Sequence, residues 1–258
     1  MSVKSKVLLI NLDDSQQRLN HCSNELQKQN ITFERISAIR GSQLTEDEIL
    51  QHYSPTLNSE RYFKSLSVGE IGCYLSHRKA WQKIVDEQLD YGIVLEDDIS
   101  LDGDLKGAIE SIDGLGFNWD YIKLSRYENK IGKVVKQFPL GAFELVVYAK
   151  AMTGCGSQAV SYEGAKKLLK NSEQFGRPVD SDIQHWWECQ LEVLNLHPFP
   201  LRPNGQFESD IRRNNKDQKR PEVNRLKRTQ NQVRKFLKNS KERKAFIKRM
   251  EKKISGES

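Results

Sequence analysis

Val7 to Ile10 form a short apolar run that Asn-Leu-Asp-Asp cuts off at once, the pattern of a brief buried strand. Ser15 then stands where an N-cap belongs, and Leu19, Cys22 and Leu26 recur at helical spacing to about Gln29. Ile31 to Ile39 has strand character again, through Phe33 and Ile36. Strand, helix, strand is how a parallel α/β sheet opens, and ligands of such sheets collect at the carboxyl ends of the strands. Residues 42–67 are polar and predict a short helix with a loop. Val68 to Leu89 predicts a helix with Ile71, Leu75, Ala80, Trp81, Ile84 and Val85 broadly on one side. Tyr91-Gly-Ile-Val-Leu95 is the clearest strand and runs straight into Glu96-Asp97-Asp98.

Further strands are predicted over 119–124 and 144–148, and Gly154 and Gly156 mark a turn ahead of Ala159-Val160. Helices are predicted over 162–170 and 183–194, after which Pro198, Pro200 and Pro203 end regular structure. Beyond about Arg212 the apolar positions Leu226, Val233, Leu237, Ile247, Met250 and Ile254 keep a helical period among cations.

Charge sharpens this division. From Arg212 to Lys253 there are 18 Lys and Arg against four acids, a local charge of +14 in a chain whose total is +6. The rest is therefore acidic by eight charges. The expected layout is one α/β body over residues 1–211 and a basic helical tail over 212–258. The tail suits an amphipathic helix on an anionic membrane, through residues 212–254, or a helix that packs on the body or in a homodimer. Nucleic acid is a poor partner for an acidic body that lacks a basic aromatic face. Cys22, Cys73, Cys155 and Cys189 are far apart without CxxC spacing, which argues against a disulfide scaffold or zinc knuckle and for reduced thiols. The run at Val7 is too short for a signal-peptide core, and no run approaches the ~20 apolar residues of a membrane span. The expected location is cytoplasmic, peripheral to the inner face of the cytoplasmic membrane.

Three consecutive acids at the end of an apolar strand repel one another and resist desolvation. A divalent cation removes that cost, and Mg²⁺ or Mn²⁺ characteristically takes one or two carboxylates plus substrate phosphate oxygens. Alternate residues of an extended chain face the same way. Glu96 and Asp98 are thus the expected metal ligands, with Asp97 turned aside or bridging to a nucleotide ribose.

Ser67-Val-Gly-Glu-Ile-Gly-Cys-Tyr-Leu-Ser-His77, Trp81 and Ile93-Val-Leu-Glu-Asp-Asp98 together resemble glycosyltransferase family 25. Ile10-Asn-Leu-Asp with Arg18 resembles that family's first strand and nucleotide loop, and Ala38-Ile-Arg-Gly41 its second strand end. Ser161-Tyr-Glu-Gly-Ala-Lys-Lys-Leu168, Pro178-Val-Asp180 and Ser209-Asp-Ile211 resemble its later motifs. The resemblance spans about residues 5–212. It implies a GT-A-like single domain with a mostly parallel central sheet, a UDP-sugar donor (most often UDP-galactose), Mn²⁺ or Mg²⁺, and inversion at the anomeric carbon. The acceptor it implies is a saccharide of lipooligosaccharide or lipopolysaccharide. Ser157-Gln158 departs from the Ala-Tyr of many bacterial members and bears on specificity.

On this resemblance Asn11, Leu12, Arg18 and Ala38 fall at the nucleotide, with Glu96 and Asp97 as further donor contacts. Arg18 either pairs with the donor diphosphate or makes a surface ion pair on the first helix, and Arg126, after the strand that ends at Ser125, is a candidate for phosphate or acceptor contact. An inverting transfer needs one general base for the acceptor hydroxyl. Asp180 is the first candidate and Asp182 the second. Glu70 either holds sugar hydroxyls or caps the helix after it. His77 is either a structural hydrogen-bonding group or a catalytic one, and His197 either completes the metal shell or is structural. Trp186 and Trp187 either stack on acceptor sugars or belong to the core. A sugar nucleotidyltransferase would put a glycine-rich loop after the first strand, where Asn-Leu-Asp-Asp-Ser has no glycine.

Overall fold

The computed structural model describes residues 3–126, 132–207 and 223–256. The expected boundary at residue 211 and the Ser209-Asp-Ile211 motif lie outside the described residues. Among the described residues there are ten strands: β1 Ser5–Asn11, β2 Glu34–Ser37, β3 Tyr91–Glu96, β4 Ile99–Leu101, β5 Tyr121–Lys123, β6 Val134–Leu140, β7 Phe143–Tyr148, β8 Ser157–Ser161, β9 Val193–His197 and β10 Leu201–Pro203. The α-helices among the described residues are α1 Gln16–Gln27, α2 Glu46–Leu50, α3 Pro55–Arg61, α4 Val68–Asp86, α5 Leu105–Asp113, α6 Tyr162–Asn171, α7 Val179–Ile183 and α8 Arg225–Ser255.

Eight strands form one sheet in the order β2-β1-β3-β8-β5-β9-β7-β6. The pairings set β2, β1, β3, β5, β9 and β6 in one direction and β8 and β7 in the other, so the sheet is mostly parallel in sense. β1 and β3 are buried on both faces because helices cover the sheet, which is why they read as continuous apolar runs. The long α4 lies against this sheet through Ile71, Leu75, Trp81 and Ile84. Its first turn sits close on the chain that leaves β2. A Cβ on Gly72 would stand 2.6 Å from Gly41 N and 2.6 Å from Ile39 O, so this approach requires glycine.

The helix expected over 183–194 is corrected. Helix α7 ends at Ile183, a 3₁₀ turn covers Trp186–Glu188, and β9 begins at Val193. Gln190 takes a left-handed backbone with φ 54°, which breaks any helix there. Leu194 and Leu196 are then buried between β5 and β7, and pairing on both sides outweighs local helical spacing.

The basic helix α8 is docked along its C-terminal half. Phe246 and Met250 are buried, and Trp186 Nε1 donates to Asn239 Oδ1 at 3.0 Å. Asn239 Nδ2 donates to Ala149 O at 3.0 Å, and Lys253 pairs with Glu192 at 2.6 Å. The N-terminal half leaves Leu226, Val233, Phe236 and Leu237 exposed. Among the described residues no helix is long and apolar enough to cross a membrane. Phe246→Ala should cost about 3–5 kcal/mol of stability, the usual range for emptying a buried aromatic site. A denaturant midpoint equal to that of the unaltered protein would show that α8 is not part of the folded body.

Candidate functional site

β1, β2 and β3 end side by side, with Ile10 in register with Glu96 and Asn11 with Ser37. Asn11 is 1% exposed and every polar group on it is used. Its Nδ2 donates to Asp97 Oδ2 at 2.7 Å and to Ser15 O at 3.1 Å, while Oδ1 accepts from Arg35 Nε at 2.9 Å. Its carbonyl accepts from Ala38 N at 2.9 Å, which places Ala38 at the same edge. Leu12 O accepts from Ser15 N at 3.0 Å and turns the chain into α1. From α1, Arg18 Nη1 donates to Asp97 Oδ1 at 3.0 Å, and its guanidinium lies 5.5 Å from the centre of the Phe207 ring. Burial raises the pKa of Asp97, and the hydrogen bonds from Asn11 and Arg18 pull it back.

Glu96 turns toward α4. His77 Nε2 lies 2.9 Å from Glu96 Oε1, and Gln158 Nε2 donates to His77 Nδ1 at 3.0 Å. Since Nδ1 accepts, the ring proton sits on Nε2 and is donated to Glu96, so a neutral imidazole orients the carboxylate. His77 is 1% exposed, with both ring nitrogens engaged, by Glu96 and by Gln158. Cys73, one turn earlier on α4, joins this group. Its Sγ, a His77 ring nitrogen and a Glu96 oxygen all lie within 4.8 Å of one another.

Asp98 has neither kind of support. Its carbonyl accepts from Asn204 N at 2.6 Å, but among the described residues no other side chain hydrogen-bonds its carboxylate, which is relieved only by its own backbone N–H and the more distant charge of Arg18. Burial, followed by the charges of Glu96 and Asp97, pushes its pKa up to about 7 against the opposing Arg18.

Asp180 reaches this cleft from α7. Gly154, held at φ 83°, donates its N–H to Asp180 Oδ2 at 3.4 Å, and its carbonyl accepts from Lys123 Nζ. The charges of both Glu96 and Asp180 are felt at Cys73, Cys155 and Lys123. Burial lowers the pKa of Lys123, and the neighbouring Cys155, Asp180 and Glu96 oppose that shift. Neither Lys123 nor Cys155 emerged from sequence reasoning. The one available signal was Lys123 itself, a cation inside an apolar strand.

The remaining candidates stand elsewhere. Asp182 accepts from Tyr74 Oη at 2.8 Å and from Arg177 Nη1 at 2.9 Å, and burial raises its pKa to about 6. With both oxygens taken, it anchors α7. Glu70 accepts from Ser67 N at 2.9 Å and Lys64 Nζ at 2.8 Å, completing a capping box on α4. His197 is exposed at the end of β9, three strands from β3, or roughly 14 Å at about 4.8 Å per strand. The structure does not bring it to the carboxylates. Arg126 follows β5 at the same sheet edge, and its charge is felt at Tyr148. Trp186 belongs to the core, whereas Trp187 is half-buried.

Three acids and a fixed Asn–Arg pair thus gather at the carboxyl edge of an α/β sheet, the edge at which ligands of such sheets collect. The chain belongs to glycosyltransferase family 25, whose family model, described as an LPS biosynthesis protein family, matches residues 4–183. A Haemophilus influenzae protein provisionally named a glycosyltransferase is 30% identical over 213 residues, covering 79% of this chain and 74% of its own. Procollagen galactosyltransferase 1-B of Xenopus laevis is 29% identical over 220 residues, and procollagen galactosyltransferase 2 of Homo sapiens 28% over 204. These matches cover 77% and 75% of this chain but only 36% and 31% of those longer proteins. The protein is thus a glycosyltransferase by family.

Asp98 gives a test in the metal-free protein. Its folded pKa near 7 exceeds the ordinary 3.8, so the folded chain holds a proton there that the unfolded chain has released. Its contribution to stability therefore falls as pH rises through that window. With chelator present, Asp98→Asn should gain little at pH 4 and progressively more toward pH 8, read from denaturation midpoints. A gain independent of pH would mean that the carboxylate is not strained.

Proposed function

We propose that the protein transfers galactose, or a related hexose, from a UDP-sugar to a saccharide hydroxyl of a lipooligosaccharide or lipopolysaccharide acceptor, with inversion. The observation that carries this reading is the uneven support of three adjacent carboxylates. Asp97 is held by Asn11 and Arg18, Glu96 by His77, and Asp98 by no other side chain among the described residues. That donor set fits Mn²⁺ or Mg²⁺, which Asp98 and the second oxygen of Glu96 would hold. When bound, the ion neutralises the charge that grows on the leaving diphosphate.

The chain's own residues do the rest. Asn11, Leu12 and Ala38 supply the edge on which the nucleotide lies, and Arg18 keeps Asp97 ionised and aimed. Gln158 and His77 fix Glu96 against the back of the cleft. Asp180 accepts the acceptor hydroxyl's proton on a carboxylate oxygen as that hydroxyl attacks, with the Gly154 N–H setting its orientation. Arg126 stands where phosphate or acceptor would pass.

The exposed apolar stripe on α8, Leu226, Val233, Phe236 and Leu237, lies among 13 Lys and Arg against two acids between residues 223 and 256. This composition fits an anionic membrane surface, the cytoplasmic face on which lipid-linked acceptors would lie.

Asp98→Ala should abolish transfer from UDP-galactose in the presence of Mn²⁺. Full activity in that variant would remove the carboxylate cluster from the reaction. Asp180→Asn should leave UDP-galactose binding unchanged while turnover falls by about 10²–10⁴, the usual contribution of a general base. A smaller loss would place the base elsewhere. Sedimentation with anionic vesicles should fall on changing Phe236 and Leu237 together to Glu. Unchanged sedimentation would leave the stripe to a second copy of the chain.

A further inference from the structure

Where α8 crosses the end of α3 and the segment after α7, a cleft of about 570 Å³ opens, a size that suits a small ligand. Its floor is Arg177, 3% exposed, which donates to Asp182 and, from Nη2, to both oxygens of Glu188 at 2.9 and 3.1 Å. Those bonds leave Arg177 Nε buried without a partner and share its one positive charge between Asp182 and Glu188. One wall is α8, where Arg234 and Lys238 lie one turn apart and have no acidic partner among the described residues. Arg61 closes the other side, 4.0 Å from Glu188. Arg61, Arg177, Arg234 and Lys238 bring four positive charges against the three of Glu60, Glu188 and the Asp182 that Arg177 binds.

Two further groups suit a sugar ring. Trp187 lines the cleft with its indole half-buried, turned edge-on to the buried Trp186 at 5.7 Å between ring centres. His185 Nδ1 lies 2.7 Å from Ser181 O and donates to it, which leaves Nε2 as an acceptor for a hydroxyl. Burial and the charge of Arg177 hold this imidazole neutral, with its pKa down to about 4.

The cleft is tied to the proposed base through one short helix: Arg177, its floor, binds Asp182, two residues along α7 from Asp180. We propose that this cleft is the acceptor subsite and that it takes a saccharide bearing an anionic group, phosphate or carboxylate. Guanidinium and ammonium groups meet the anion, and Trp187 meets the apolar face of the ring. The inference rests on the reading of Asp180 as the base, and it gives α8 a part in substrate recognition as well as in packing.

The test uses the full chain and three probes, glucose 6-phosphate, glucuronate and glucose, titrated by ligand-observed NMR without donor. The unaltered protein should bind at least one charged sugar about tenfold or more tightly than glucose, the scale of a charge-assisted contact. Preference for one anion over the other identifies the group and supports the proposal. Arg234→Ala with Lys238→Ala should erase the preference, and Trp187→Ala should weaken all three probes. Thermal melting confirms that each variant is folded, and UDP-galactose binding serves as an independent control. Equal binding of charged and neutral sugars, or a preference that survives the double change, would overturn the subsite. Failure of UDP-galactose to bind the unaltered protein would instead strike the donor reading and leave this result to stand by itself.

Discussion

The structure depends on how one short buried strand is allowed to end in three acids. Inside an apolar sheet each carboxylate needs a partner or must give up its charge. Asp97 finds two partners, and both come from the first eighteen residues of the chain, Asn11 at the tip of β1 and Arg18 on α1. Asn11 is itself clamped by Arg35 and by the backbone around Ser15 and Ala38. One buried amide thus ties together the ends of β1, β2 and β3. The geometry of the edge follows from satisfying a single carboxylate.

Glu96 is handled differently, through a relay from β8 to α4 and back to β3. Gln158 sets the proton position on His77, and His77 sets the orientation of Glu96. The close approach of Gly72 to Gly41 fixes the height of α4 on the sheet and so places His77. Asp98 is left to carry the unrelieved part of the charge. The site is therefore strained by construction at one residue and supported at its two neighbours.

Much of this was legible in the residue pattern. The apolar runs at Val7 and Tyr91 announced β1 and β3, because strands buried on both faces must be apolar throughout. The acids after Leu95 announced the site. The edge strand β6 was not legible, since Phe138 is its only buried residue, Lys136 interrupts the apolar positions on its inward face, and Pro139 argues against a strand. β9 was hidden for another reason: its apolar spacing suits a helix equally well, and only pairing with β5 and β7 decides the matter. The two roles open for Glu70 could be separated only by seeing Ser67 and Lys64 around it. For Asp182, the neighbours Tyr74 and Arg177 arrive from a distant helix and an adjacent loop. Spacing along the chain carries no trace of such contacts.

The antiparallel β8 lies between β3 and β5, so those two strands never touch. The half of the sheet that carries the acids and the half that carries β5, β9, β7 and β6 are joined by five residues, Ser157–Ser161. A growing chain can form β1, β2 and β3 early, but the seam stays open until synthesis has passed residue 161. Closing it requires contacts distant in sequence, the kind that slow folding. Assembly of the cleft is thereby a late event, since the same strand that closes the sheet also delivers Gln158 to His77.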